Sequence, residues 1–229
     1  MRSARRVVIW RHGRTEWNAA GRFQGQLDPP LDEVGQGQVA RAALLLHTLH
    51  PDRVVASDLQ RAIATGEALG RLCGRTVSVR AEYRETHGGR WQGLDRAALD
   101  AGHRVALTAW AEGADIPAGQ TGERRSEVAA RMVRGLLADL AEVPAGGTLV
   151  LATHGGSGRA LTGAMMGLPV ASWGALGTLA NAAWNVLWER TRTGGIEGVA
   201  HSDPWGVGAW RLEEYNAASL PQPVLGDDR

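Results

Sequence analysis

The sequence predicts an α/β protein in three layers, αβα, whose mostly parallel sheet carries an antiparallel edge strand. Three observations carry that expectation. Short apolar, β-branched runs recur along the chain, helical patterns fill the stretches between them, and charged or polar residues stand immediately after three of the runs. Alternation of this kind builds a parallel sheet wrapped by helices.

The first runs lie at residues 7–10, 54–56, 77–79 and 149–152, each of a length suited to a strand buried on both faces. Between them, residues 35–49 place Val39, Ala42, Ala43 and Leu46 at helical spacing, and residues 58–72 do the same with Leu59, Ala62, Ile63 and Leu69. Residues 126–142 add Val128, Met132, Leu136, Leu137 and Leu140 on one face, with Ser126 as the expected N-cap. Residues 184–188 and 209–212 alternate apolar and polar side chains around a Gly/Asp/Pro-rich loop, as an antiparallel edge does. Residues 86–125 fit the strand–helix rhythm poorly and are expected to be an insertion, or lid, over the edge of the sheet. About residue 220 the chain becomes a loose tail. One domain over residues 1–229 accounts for all of this.

Composition narrows the function. The 25 basic and 24 acidic residues leave a net charge of +1 and are interspersed, so no stripe for nucleic acid is expected. All 25 basic residues are arginine, which excludes a Walker-A lysine, a lysine Schiff base and a protein-kinase lysine. No apolar run approaches the ~18 residues of a membrane span. The single cysteine, Cys73, and the lack of a secretory apolar segment point to the reducing cytoplasm.

Ligands of open α/β sheets bind beyond the carboxyl ends of the strands. The first run ends in Arg11 and His12, the second in Ser57, Asp58 and, a helical turn on, Arg61, and the fourth in Thr153, His154, Gly155 and Gly156. Two arginines and two histidines on one rim, with helix N-termini beside them, make a cationic pocket whose matching ligand is a phosphate dianion.

The segments "RHGRTEWN", "RFQGQLDPPL", "SDLQRAIATGEAL", "YRETHGGRWQGL" and "THGG", in this order, resemble the histidine phosphatase superfamily, the phosphoglycerate mutase-like proteins. The resemblance implies that fold, and a small phosphate ester as partner with no metal or other cofactor. It assigns His12 as the nucleophile, Arg11, Arg61 and His154 as holders of the phosphoryl oxygens, and Glu85 as proton donor. Asn18, Gln24 and Gly155 fall where phosphate or substrate is contacted, and His87 lies near enough to Glu85 to reach the substrate. Arginines beside His12 would keep its ring neutral and nucleophilic, and positive charge stabilises the loose transition state of phosphoryl transfer.

Two branches remain open to such a chain. Mutases of the superfamily carry a tyrosine three residues after the acid glutamate, where this chain has Gly88, and "TGERRSEVAARM" is similar to the helix start of the phosphatase branch. "LPVASWGALG", "NAAWNVLW" and "WRLEEYNAAS" add a likeness to phosphatases of glucosyl-3-phosphoglycerate, so that ester or a related sugar or glycerate phosphate is the expected substrate. Arg96 and Arg125 are candidates for a substrate carboxylate. A homodimer is implied by the resemblance. A cofactor-dependent mutase and a catalytically inactive phospho-ligand binder are the alternatives.

Simpler explanations compete for single residues. Arg61 alone reads as a helix residue paired with Asp58. His47, His50 and Asp52 read as a solvated face rather than a metal site, and His103 and His201 as loop residues. Cys73 lacks the arginine six positions on that a cysteine phosphatase needs, since Val79 stands there. Ser157 lacks the final glycine of a nucleophile elbow, since Arg159 replaces it. Trp17 and Trp91 suit either packing or a pocket wall.

Overall fold

A computed structural model describes residues 4–190 and 210–218. The proposed tail from residue 220, His201 and the loop before residue 209 lie outside the described residues. The chain runs β1 (Arg6–Arg11), α1 (Glu16–Ala19), α2 (Glu33–His47), β2 (Arg53–Ser57), α3 (Gln60–Cys73), β3 (Val77–Arg80), α4 (Arg96–Ala111), α5 (Arg125–Leu140), β4 (Thr148–Thr153), α6 (Gly155–Met165), β5 (Trp184–Glu189) and β6 (Trp210–Ala217). Among the described residues no helix is long and apolar enough to cross a membrane.

Six strands form one sheet in the order β3-β2-β4-β1-β5-β6. Strands β1 to β4 pair in parallel, whereas β5 pairs antiparallel with β1 and β6 antiparallel with β5. The period of two along each strand divides the core. Val8, Trp10, Val54, Ala56, Val150 and Ala152 face Val39, Leu46 and Leu69 of α2 and α3. Val7, Ile9, Val55, Leu149 and Leu151 face Val128, Met132, Leu136 and Leu161 of α5 and α6. The helices after β1 and β4 therefore leave toward opposite faces of neighbouring strands. This is a switch point, and it opens a crevice at the carboxyl ends.

Three expectations change. Strand β3 is an edge strand rather than one buried on both faces: among the described residues it pairs only with β2, and Val79 is 45% exposed. Ser126 lies inside α5 and is not its cap. Arg124 is the N-cap residue, its N–H donates to Glu127 Oε2 (2.8 Å), and the Ser126 N–H and hydroxyl both donate to Asp115 (3.1 and 2.5 Å). A carboxylate from a neighbouring loop thus supplies the acceptor that a cap residue ordinarily provides. Residues 86–125 contain a full helix, α4, which places His103 in a helix rather than a loop. Leu99, Trp110 and Trp91 of this segment pack with Phe23 and Ala118 into a small separate core, with Trp91 and Trp110 ring centroids 5.7 Å apart. Trp110 also lines the crevice that His12 lines, so the insertion covers the strand ends rather than the sheet edge.

Candidate active site

The adjacent strands β2, β4 and β1 bring their last residues together, with Arg11 opposite Thr153 in the β1–β4 register. His12 follows at once, 2% exposed. Its Nδ1 lies 2.6 Å from the Gly13 carbonyl oxygen, which can only accept. The ring therefore carries its proton on Nδ1 and has a lone pair on Nε2, toward the cavity that His12 lines. Burial, then the charges of Arg61 and Arg11, hold this imidazole well below the ordinary histidine value, so it is neutral at physiological pH.

His154 is fully buried at the end of β4, its ring edge-on to His12 at 5.2 Å. Its Nε2 lies 2.9 Å from the Ser57 hydroxyl, and its Nδ1 has no protein partner. Burial first, and Arg61, His12 and Arg11 after it, keep this ring neutral as well.

Arg61, in the first turn of α3, is 1% exposed. Its Nη1 donates to Leu27 O and its Nη2 to Gly25 O, both at 2.8 Å, with the Asp28 carboxylate 3.4 Å away. The pairing with Asp58 that its sequence neighbourhood suggests is not formed, because Asp58 is held by Arg84 at 2.7 Å. Burial lowers the Arg61 guanidinium to about 10, opposed by the charges of Glu85 and Asp28. It remains a cation at neutral pH, and its Nε is buried without a partner. Arg11 donates through Nη1 to Leu179 O, and its Nε is likewise unpartnered. Burial lowers its guanidinium too, with Glu85 opposing.

Glu85 sits over the N-terminus of α6. Its carboxylate accepts the Gly156 N–H (2.9 Å), the Ser157 N–H (2.8 Å) and its neighbour Thr86 N–H (2.7 Å). A carboxylate has about four acceptor positions, so three donors leave one, on Oε2, for a proton or a substrate oxygen. Glycine at 155 and 156 allows close approach: a Cβ on Gly155 would meet Thr178 Cγ2 at 2.8 Å and Arg11 Nε at 3.3 Å, and one on Gly156 would meet Glu85 Oε1 at 2.8 Å. Arg131 of α5, which the sequence reading missed, fixes the segment that carries Glu85. It donates to the carbonyls of Glu82, Arg84 and Glu85 and to the Glu123 carboxylate at 2.7–3.0 Å.

Arg11, His12, Arg61, Glu85, Asn18 and Gln24 line one cavity of about 270 Å³. Asn18 Oδ1 is taken by the Thr15 N–H and hydroxyl and by Asn181 Nδ2, all at 3.1 Å, which leaves its amide N–H groups to offer. Gln24 Oε1 is buried and unpartnered. His87 does not line the cavity; its N–H donates to Glu123 Oε2 (2.8 Å) and its carbonyl accepts the Glu123 N–H (2.9 Å). Arg96 is exposed and paired with Asp100 on the first turn of α4. Phe23 and Trp110 wall the cavity, whereas Trp91 is core and Trp17 lines a different hollow. Arg159, on α6, lines it too, and nothing but its position one turn beyond "THGG" could have flagged it. A larger hollow of about 640 Å³ lies at the other end of the sheet, lined by Arg190, Arg211 and Glu189 and by no histidine among the described residues.

Cationic side chains outnumber Glu85 around two neutral imidazoles, of which His12 lines the cavity with its Nε2 unprotonated. That arrangement is chemically suited to a phosphoryl dianion and to nucleophilic attack on its phosphorus. A family model described as histidine phosphatase superfamily (branch 1) matches residues 7–201. The chain belongs to that superfamily.

Among its relatives is the glucosyl-3-phosphoglycerate phosphatase of Mycolicibacterium vanbaalenii, 42% identical over 222 residues, covering 94% of this chain and 96% of the relative. The protein of that name from Mycobacterium tuberculosis is also 42% identical, with the same coverage. A solved structure of a mycobacterial glucosyl-3-phosphoglycerate phosphatase complexed with VO3 superposes with a TM-score of 0.82 at 41% identity, covering 93% of this chain and all of that one. A probable phosphoglycerate mutase from Photorhabdus laumondii is 34% identical over 71% of this chain and 75% of its own.

Proposed function

We propose that this histidine phosphatase hydrolyses the phosphate ester of glucosyl-3-phosphoglycerate, or of a closely related sugar or glycerate phosphate, through a phosphohistidine at His12. The observation that carries the reading is the His12 ring, neutral, oriented by Gly13 O, and set among Arg11, Arg61 and His154 with Glu85 facing the same cavity. The curated relatives at 42% identity supply the substrate.

The reaction has two displacements. His12 Nε2 attacks phosphorus and the ester P–O bond breaks, while Arg11 and Arg61 offset charge on the phosphoryl oxygens. The departing alkoxide takes a proton from Glu85 through the free Oε2 position. Water then attacks the phosphohistidine, Glu85 takes its proton, the P–N bond breaks and His12 is restored. Asn18 and Gln24 bond phosphate or nearby substrate atoms, and Gly155 lets the α6 backbone approach Arg11. His87 acts as loop structure in this scheme.

Incubating the protein with glucosyl-3-phosphoglycerate, 3-phosphoglycerate and p-nitrophenyl phosphate, with release of free phosphate followed, tests the reading. Preferential hydrolysis of the glucosylated ester, together with an acid-labile phosphoenzyme lost in His12→Ala, is expected. Isomerised phosphoglycerate in place of free phosphate would mean a mutase, and binding without turnover a phospho-ligand receptor. The cytoplasmic compartment follows from the single Cys73 and the homodimer from the resemblance; light scattering on the purified chain decides the second.

A further inference from the structure

Ser57, the last residue of β2, has no place in the scheme above, yet its side chain is fully buried against a histidine of the site. Its Oγ accepts the Leu59 N–H at 3.3 Å and lies 2.9 Å from His154 Nε2. Among the described residues the Ser57 hydroxyl meets no other acceptor. His154 is as deeply buried, and its Nδ1 has no partner. The two nitrogens of an imidazole point away from each other, so a ring whose Nε2 faces Ser57 turns its Nδ1 away from β2. His12 stands edge-on to that ring, 5.2 Å between centroids, and the charges of Arg61 and Arg11 act on it.

Two tautomers of the neutral ring are compatible with these positions, and counting hydrogen bonds separates them. With the proton on Nε2, the ring donates to Ser57 Oγ; the serine proton then has no acceptor and the Nδ1 lone pair has no donor. With the proton on Nδ1, Ser57 donates to Nε2 and still accepts the Leu59 N–H, so only the Nδ1 N–H is left over. Unmet hydrogen-bonding groups are costly where water is excluded, and one costs less than two. The one that remains is a donor, which the oxygen of an anion satisfies. In the other tautomer a lone pair would face that oxygen and repel it.

We propose that Ser57 is a positioning residue: by donating to Nε2 it fixes the His154 proton on Nδ1 and so makes the ring a hydrogen-bond donor to a phosphoryl oxygen. The acceptor in this assignment rests on the phosphatase reading; the tautomer does not. The two histidines then carry their protons on the same atom with opposite outcomes. In His12 the Gly13 carbonyl holds the Nδ1 proton and leaves Nε2 to attack, whereas in His154 the serine holds Nε2 and leaves Nδ1–H to donate.

Long-range proton–nitrogen NMR spectra of protein isotopically labelled at its histidine nitrogens read the tautomer directly, with His154→Asn assigning the signals. The native protein should show His154 protonated at Nδ1, and inorganic phosphate should shift that proton downfield. A proton on Nε2 in the free protein, or an Nδ1 proton that phosphate leaves unmoved, would overturn the proposal. In Ser57→Ala the Nε2-protonated form should gain population, and kcat/KM for p-nitrophenyl phosphate should fall roughly ten- to a hundredfold, as loss of one bond to a charged group does. In the His154→Asn background the same serine replacement should cost less than about threefold, because the group it acts through is gone. An equal loss in both backgrounds would make Ser57 structural and sink the assignment. Should Ser57→Ala fail to fold, the native spectra decide alone. If no ester is hydrolysed, the phosphatase reading fails, while the spectra with and without phosphate still decide the tautomer and its acceptor.

Discussion

Replacing Glu85 by glutamine tests the proton-transfer role most directly, because the structure separates its chemical and structural consequences. The carboxylate accepts three backbone N–H groups, two at Oε1 and one at Oε2. Glutamine can keep its oxygen where two donors converge, from Thr86 and Ser157. Its amide nitrogen then faces the Gly156 N–H, donor against donor. One charge-assisted bond is lost, at about 1.5–3 kcal/mol. A domain stable by roughly 5–15 kcal/mol survives that and stays folded in the assay. The chemical loss is larger for an alkyl ester, roughly 10²–10⁴-fold, because the alkoxide then departs without its proton. With p-nitrophenyl phosphate the leaving phenolate is stable unprotonated, so formation of the phosphoenzyme slows far less. Hydrolysis of the phosphohistidine still lacks its base. The expected record in stopped flow is therefore a stoichiometric burst of nitrophenolate followed by slow turnover, alongside near loss of alkyl phosphate hydrolysis. Equal losses on both substrates with no burst would refute the assignment of Glu85 as acid and base.

Arg61→Met should lower turnover at least roughly a hundredfold, as removal of an oxyanion donor does, and should also lower the melting temperature, since Arg61 ties the carbonyls of Gly25 and Leu27 to α3. Stability should fall as pH drops below about 6.5, the ordinary histidine value, because the unfolded chain binds protons there that buried His12 and His154 refuse. The contribution is intact above that pH and is lost progressively toward acid; a melting curve series whose slope is unchanged in His154→Asn counts against it. Asp139→Asn should destabilise by about 1–3 kcal/mol in urea, because that fully buried carboxylate accepts from the half-buried Arg53 and Arg80 and from the Tyr83 hydroxyl at 2.6–2.8 Å, and an amide weakens all three.

Much of the fold could be read locally. Residues 7–10, 54–56 and 149–152 are apolar, short and continuous, which is the signature of a strand buried on both faces, and each has become one. The same pattern misled at residues 77–79, since whether a strand has a second neighbour depends on sheet order and not on its own side chains. Helix α4 escaped notice because its apolar stripe is weak: only Leu99 is buried and Val105 projects into solvent at 86% exposure. Its partners, Phe23 and Trp91, are contributed by other segments. The start of α5 was misplaced for a similar reason, the capping acceptor being Asp115 from a loop ten or so residues earlier.

The positions of Arg11, His12, Arg61, His154 and Glu85 were legible because strand ends and helix starts are local features, and chemistry concentrates at them. What those residues become was not legible. The proton on His12 Nδ1, the three N–H groups on Glu85, the neutrality of two imidazoles and the unpaired Arg125 beside Arg159 all arise where segments far apart in the chain meet. Sequence alone determined which side chains are present and which elements carry them, through periodicity and capping over a few residues. Tertiary structure alone decided their hydrogen-bond partners, burial and charge surroundings, because electrostatic energies depend on distances between groups and on the water excluded from them, and neither is a property of a local stretch of chain.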